Sequence, residues 1–162
     1  MKCLCFSDSH GSPRLMRLAL SMHRDAEVVF FLGDGLSDAY ELSAEFPTVM
    51  FYFVRGNCDF GVAYSNTEKT LLLNLLGKKI AMTHGDLYGV KGGLGGVISF
   101  GRKNECDLVL FGHTHIPYEG YDSDGGFYLF NPGSISDSYS GKRYGIITIT
   151  EQGILTSHGR IS

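Results

Sequence analysis

Five short apolar runs in this chain each break into a polar cluster, every one flanked by or built around glycine, and no other feature constrains the fold as much. The clusters are Asp8-Ser9-His10, Gly33-Asp34-Gly35, Gly56-Asn57-Cys58-Asp59, Thr83-His84-Gly85 and Gly112-His113-Thr114-His115. An unbroken apolar run such as Val28 to Leu32 marks a strand covered on both faces. Cys3 to Ser7 reads as another strand. Ser12-Pro13 then offers a capping hydroxyl and a proline at the first helical position. Leu15, Leu18, Ala19 and Met22 recur at helical spacing behind it. A second helix over Ser37 to Phe46 and a buried strand over Thr48 to Val54 complete a βαβαβ opening, which favours a parallel sheet with right-handed crossovers.

Beyond Asn66 the pattern changes. Leu71 to Leu76, Gly77-Lys78 and Lys79 to Thr83 read as a hairpin. A glycine-rich stretch from Gly89 to Gly96 leads into a short helix ending near Asn104, and Leu108 to Phe111 is a further buried strand. Phe127 to Phe130, Tyr144 to Thr150 and Ile154 to His158 read as antiparallel strands, with a turn at Gln152-Gly153. With no linker, repeat or low-complexity tract, residues 1–162 are expected to form one α/β domain whose later sheet is mixed or antiparallel.

Composition narrows the function classes. Hydrophobic residues are 43% and charged residues 19% of 162, values of a globular chain able to bury its own core. A formal net charge of -3 argues against a nucleic-acid binder, which usually carries a basic face. No run reaches the roughly 18 apolar residues that span a bilayer, and Met1 to Phe6 turns polar too soon for a signal peptide. Of the 4 cysteines, Cys3 and Cys5 lie two apart on a strand and so share one face as small core residues. No CxxC spacing points to zinc or redox chemistry, and a reducing, cytoplasmic setting is the expectation.

Ligand sites of open α/β folds lie outside the carboxyl ends of strands, so five polar clusters at such ends should converge on one crevice. Carboxylate, imidazole and amide oxygen suit first-row divalent cations. Four of the 6 histidines, His10, His84, His113 and His115, fall in these clusters. Any one Gly-Asp or Gly-His is an ordinary turn; the ordered set is the signal.

Asp-x-His, Gly-Asp, Gly-Asn-x-Asp, His-Gly and Gly-His-Thr-His, in that order, resemble the calcineurin-like metallophosphoesterases. The short length and the Gly-Asn-Cys-Asp form are similar to the small YfcE-type phosphodiesterases, and Asn131-Pro132-Gly133-Ser134 is also typical of that group. The resemblance implies two mixed β-sheets packed as a sandwich and flanked by helices. It implies that Asp8, His10 and His115 hold one divalent cation, that Asn57, His84 and His113 hold a second, and that Asp34 bridges both. Manganese is the expected metal, with nickel, iron and zinc as alternatives. Asp34, Asn57 and His84 would carry catalysis, with Asn57, Cys58 and Asp59 facing the substrate, a small phosphate diester. Two cations about 3.5–4 Å apart would acidify a bridging water to hydroxide and clamp the phosphate oxygens for in-line attack.

One position departs from the pattern. Many relatives place a histidine where this chain has Cys58, and a thiol is a poor acid for an alkoxide leaving group. A nucleophilic Cys58 is the alternative, without a histidine placed in sequence to activate it. Arg55 and Lys91 are candidate substrate contacts, and Gly89 to Gly96 reads as a flexible loop beside His84, lacking the ending of a P-loop. His23 and His158 read as surface residues, and Phe51-Tyr52-Phe53 as sheet core. Two rival functions remain: a Vps29-type scaffold for protein assembly, whose kind has lost several metal-site histidines, and a nucleotidase or nuclease. Apolar strands at a sheet edge could also pair copies of the chain.

Overall fold

The computed structural model describes residues 1–139 and 141–162. Its strands are β1 (Lys2–Phe6), β2 (Val28–Phe31), β3 (Met50–Phe53), β4 (Thr70–Leu75), β5 (Lys78–Thr83), β6 (Leu108–Leu110), β7 (Tyr118–Asp122), β8 (Phe127–Asn131), β9 (Arg143–Ile149) and β10 (Ile154–Arg160). The helices are α1 (Pro13–Met22), α2 (Leu36–Glu45) and α3 (Gly95–Lys103), and no helix among the described residues is long and apolar enough to cross a membrane. The strands form two mixed five-stranded sheets, β10-β9-β1-β2-β3 and β4-β5-β6-β8-β7, called sheets A and B below.

Three apolar clusters explain the layering. Cys3, Cys5, Val28 and Phe30 of sheet A meet Ile80, Met82, Leu108, Leu110 and Phe130 of sheet B in the central core. The opposite face of sheet A, with Leu4, Phe6, Val29 and Phe31, packs on Met16, Ala19 and Leu20 of α1 and Leu36, Ala39 and Leu42 of α2. The outer face of sheet B packs on Val97 of α3. Both faces of β1, β2, β5 and β6 are therefore dry, which is why their sequences run without alternation.

The parallel β1-β2-β3 unit matches the sequence reading, and so does the antiparallel β4-β5 hairpin. Several details differ. β3 is the edge strand of sheet A, with Met50 exposed and the other three residues half-buried, so it is not the buried strand its apolar run implied. The buried stripe of α1 is Met16, Ala19 and Leu20; Leu18 and Met22 face outward, and Ser12 makes no side-chain cap bond.

The later strands do not form one antiparallel sheet. β8 lies parallel to β6, whereas β9 and β10 return to sheet A, with β9 antiparallel to β1. β7 escaped the sequence reading because Tyr-Glu-Gly-Tyr-Asp is an exposed edge with little apolar content. His23 and His158 are more engaged than surface residues. His23 Nε2 is 2.9 Å from the Tyr144 hydroxyl, and His158 Nε2 is 2.8 Å from the Asn131 carbonyl while its ring stacks on Phe130.

Candidate metal centre

Asp8 and His10 follow β1, Asp34 follows β2, His84 follows β5, and His113 and His115 follow β6. With Asn57 and Cys58 after β3, all five clusters follow the carboxyl ends of strands of the two sheets. Their donor atoms form adjoining groups: Asp8, His10 and His115; Asp34, His84 and His113; and His10, Asp34 and Cys58, with the donor atoms of each group within 4.8 Å of one another. His84 Nε2 is 3.0 Å from His113 Nδ1, 3.3 Å from Asp34 Oδ2 and 4.0 Å from Asp8 Oδ1. Asn57 is exposed beside these groups and its Nδ2 donates to Cys58 Sγ at 3.3 Å.

The backbone is unusual at these residues. Asp8, His10, Asp34, His113 and His115 all have positive φ, between 43° and 67°. They are five of the eight non-glycine residues with positive φ among those described. Each such residue costs free energy of order 1–3 kcal/mol and persists only where its surroundings hold it. The surroundings do so here. Asp38 Oδ2 accepts from the Ser9 hydroxyl and from the amides of Gly11 and Ser12, fixing the loop that carries His10. The hydroxyls of Ser134 and Ser136 donate to the Asp8 carbonyl at 2.9 and 2.8 Å. Asn131 Nδ2 donates to the Gly112 carbonyl and to Thr114 Oγ1, bracing the loop between His113 and His115. A Cβ at Gly56 would collide with the Asp34 carboxylate, so only glycine lets those two loops close together.

Asp59 corrects the sequence reading. It does not face the crevice with Cys58 but turns inward. Its Oδ2 accepts the amides of Asp34 and Gly56, and its Oδ1 those of Gly35 and Leu36, all between 2.7 and 2.9 Å. It is an N-terminal cap for α2 supplied from another loop, and it holds the Asp34 backbone from behind.

The donor set fits cations. His84 Nδ1 is 2.7 Å from the Leu32 carbonyl, an acceptor only, so Nδ1 carries the proton. In the neutral ring the Nε2 lone pair then faces carboxylate oxygens and His113 Nδ1, an arrangement that a bound proton or metal cation would make favourable. Asp8 Oδ1 is buried with no hydrogen-bond partner, although His115 Nε2 is 3.1 Å away, and an unsatisfied buried carboxylate oxygen also calls for a cation.

The protonation equilibria agree. Burial lowers the pKa of His84, but the Asp34 and Asp8 carboxylates outweigh it and raise it. Burial raises that of Asp34, but His84 and the bonds from Cys58 hold it well below the usual carboxylate range. The Asp8 carboxylate raises His115. Burial lowers His113, assisted by His84 and by Lys91, whose charge therefore reaches the site. The Cys58 thiol is pushed up to about 11 by burial and by Asp34, leaving little thiolate at neutral pH and opposing a nucleophilic role.

Residues 1–152 match the model of the calcineurin-like phosphoesterase superfamily domain. The chain belongs to that superfamily. It is similar to the probable metallophosphoesterase YsnB of Bacillus subtilis, 36% identical over 136 residues that cover 83% of this chain and 75% of that protein. It is also similar to phosphodiesterase YfcE of Escherichia coli, 30% identical over 158 residues that cover 84% and 80%. Among solved structures, a predicted phosphoesterase of Streptococcus pneumoniae matches with TM-score 0.74 and 22% identity over 98% of this chain and 97% of that one. Vps29 of Entamoeba histolytica in complex with zinc matches with TM-score 0.76 and 18% identity over 98% of both chains. The fold is shared with these solved structures, and the family assignment rests on the superfamily domain and the two similar proteins. The left-handed backbone at five donors, the Asp59 cap and the Asp38 clamp carried no signal in the sequence beyond a short acidic residue beside glycine.

Proposed function

We propose that the protein is a phosphodiesterase that hydrolyses small phosphate diesters with two divalent cations. The observation that carries this reading is the pair of adjoining three-donor groups, Asp8-His10-His115 and Asp34-His84-His113. In this reading Asp8, His10 and His115 hold one cation, His84, His113 and Asn57 hold the other, and Asp34 touches both. Manganese suits the oxygen and imidazole donors, as do nickel, iron and zinc. Such cations would polarise the phosphate and acidify a water molecule.

The protein's own groups do the positioning. The Leu32 carbonyl fixes the His84 tautomer, so that Nε2 faces the crevice. Asp59 and Asp38 hold the loops of Asp34 and His10 in place before substrate arrives, which spares the reaction that reorganisation. Asn57, Cys58 and Lys91 are the exposed groups beside the donors and would meet the substrate. A thiol near 11 is a weak acid for an alkoxide, so esters with stable leaving anions are the favoured substrates.

A scaffold role of the Vps29 type has one observation in its favour. Phe60 and Val62, just after Cys58, are 80% and 91% exposed, and Ile116, just after His115, is 66% exposed, so the loops carrying candidate ligands also carry exposed apolar side chains. One experiment separates the two readings. Chelator-treated protein is reloaded with manganese and assayed on bis-p-nitrophenyl phosphate and p-nitrophenyl phosphate. Manganese-dependent turnover with the diester preferred supports the phosphodiesterase. Two bound metals without turnover of either ester supports the scaffold.

A further inference from the structure

Ser7 directly follows β1, and its side chain has no exposure to solvent. A buried hydroxyl is costly unless it finds a hydrogen-bond partner, and this one donates to Asp8 Oδ2. The same oxygen accepts the His113 amide at 3.2 Å. The two oxygens of Asp8 therefore have opposite surroundings. Oδ2 is taken by protein donors. Oδ1 lacks a hydrogen-bond partner and has three imidazole nitrogens near it: His115 Nε2 at 3.1 Å, His10 Nε2 at 3.8 Å and His84 Nε2 at 4.0 Å. Room for the hydroxyl is built in, because a Cβ at Gly112 would collide with Ser7 Oγ and crowd Asp8 Oδ2. The Ser7 backbone is tied separately, its carbonyl accepting the Ile135 amide at 3.2 Å.

We propose that Ser7 is a positioning residue of the metal centre, whose hydroxyl holds Asp8 Oδ2 so that Oδ1 is aimed at the cation shared with His10 and His115. The inference rests on the two-cation reading above. The χ2 torsion of an aspartate is broad, so a carboxylate held at neither oxygen turns and must be ordered when a cation arrives. A hydroxyl and an amide on one oxygen remove that freedom in advance. Hydrogen-bonded partners behind a ligating carboxylate orient it in this way. Ser7 touches neither ion nor substrate and acts only through Asp8. The cation on the Asp34–His84–His113 side should therefore be nearly indifferent to it.

The test reads metal affinity and needs no turnover. Full-length wild type, Ser7→Ala and Ser7→Cys are stripped with chelator and titrated with manganese, the free ion being followed by electron paramagnetic resonance. Wild type should bind two ions. Ser7→Ala should weaken one of them by about 10–100-fold, the usual loss when a group supporting a metal ligand is removed. The other ion should change by less than about threefold. Ser7→Cys fills the same space with a weak donor, so it should resemble Ser7→Ala and not wild type. Thermal melts of the chelated proteins report any packing defect separately. Ser7→Cys matching wild type, equal weakening of both ions, or a Tm loss without weaker binding would each overturn the positioning role and leave the two-cation reading standing. A wild type that binds one ion, weakened in both variants, would overturn only the two-cation reading. A wild type that binds no manganese would overturn both.

Discussion

Asp8 and Asp34 leave sheet A at the ends of β1 and β2 and are held from behind, whereas His113 and His115 leave sheet B on a half-buried loop with fewer braces. Asp8 is fully buried and Asp34 is 3% exposed. Around them converge the Asp59 cap, the Asp38 clamp and the Ser134 and Ser136 hydroxyls. The loop of His113 and His115 has chiefly Asn131, the Asp8 carboxylate and the His84 carbonyl. His84 joins the halves, being carried by β5 of sheet B while donating to Leu32 of sheet A. The anionic half needs its braces because two carboxylates are held close together before a cation arrives. The imidazole half shares the left-handed backbone but not that like-charge crowding, and it sits in a looser setting. The centre therefore exists only when the two sheets are packed.

The largest effect should come from the restrained half. Asp34→Ala removes the carboxylate proposed to touch both cations. It should lower diester hydrolysis by more than about 100-fold and reduce bound metal by at least one ion, since loss of mere supporting groups already costs about 10–100-fold. Metal analysis alongside the assay decides it, and two retained ions with near-native turnover would remove Asp34 from its proposed place.

In the looser half, His113→Ala and His115→Ala should each weaken metal affinity by roughly 10–100-fold, but at different positions. Anomalous diffraction from metal-soaked crystals of the two variants should show separate losses. A loss at one shared position would mean that the loop serves a single ion.

Asp59 contrasts the halves through stability. Asp59→Ala strands four amides that now donate to its carboxylate, at a cost of about 3 kcal/mol and about 6–12 °C in Tm. A Tm loss below about 3 °C in thermal melts would show that water replaces the cap easily.

The smallest effect concerns pH in chelated protein. His84 is raised from an ordinary 6.5, so the stability it contributes is fully present below that value and lost as pH rises through the raised one. Asp34 is held below an ordinary 3.8, so its contribution is present above 3.8 and lost as pH falls through the lowered value. Both contributions are therefore in force between about 3.8 and 6.5. The Tm of chelated wild type should fall from this window toward alkaline pH more than that of His84→Gln, and added manganese should abolish the difference. Parallel pH profiles for the two chelated proteins would show that the pair adds no stability.

Local pattern alone determined much of this protein. Unbroken apolar runs at Cys3 to Ser7, Val28 to Leu32 and Leu108 to Phe111 marked strands dry on both faces, and the polar residues after them are the candidate donors that the fold gathers. Periodicity records burial, and glycine records tight turns, so both can be read along the chain. What tertiary structure decided was partner and direction. The run ending at Val54 is an edge strand because, among the described residues, β2 is its one strand partner, while β1 takes β9 from much later in the chain on its other side. Cys58 and Asp59 are neighbours with opposite roles, one in the crevice and one beneath it. The sequence places them side by side, but only the amides of Asp34, Gly35, Leu36 and Gly56, gathered from two loops, turn Asp59 inward. Contacts between residues far apart in the chain carry no local signature, and they fixed the left-handed backbone at five donors and the His84 tautomer.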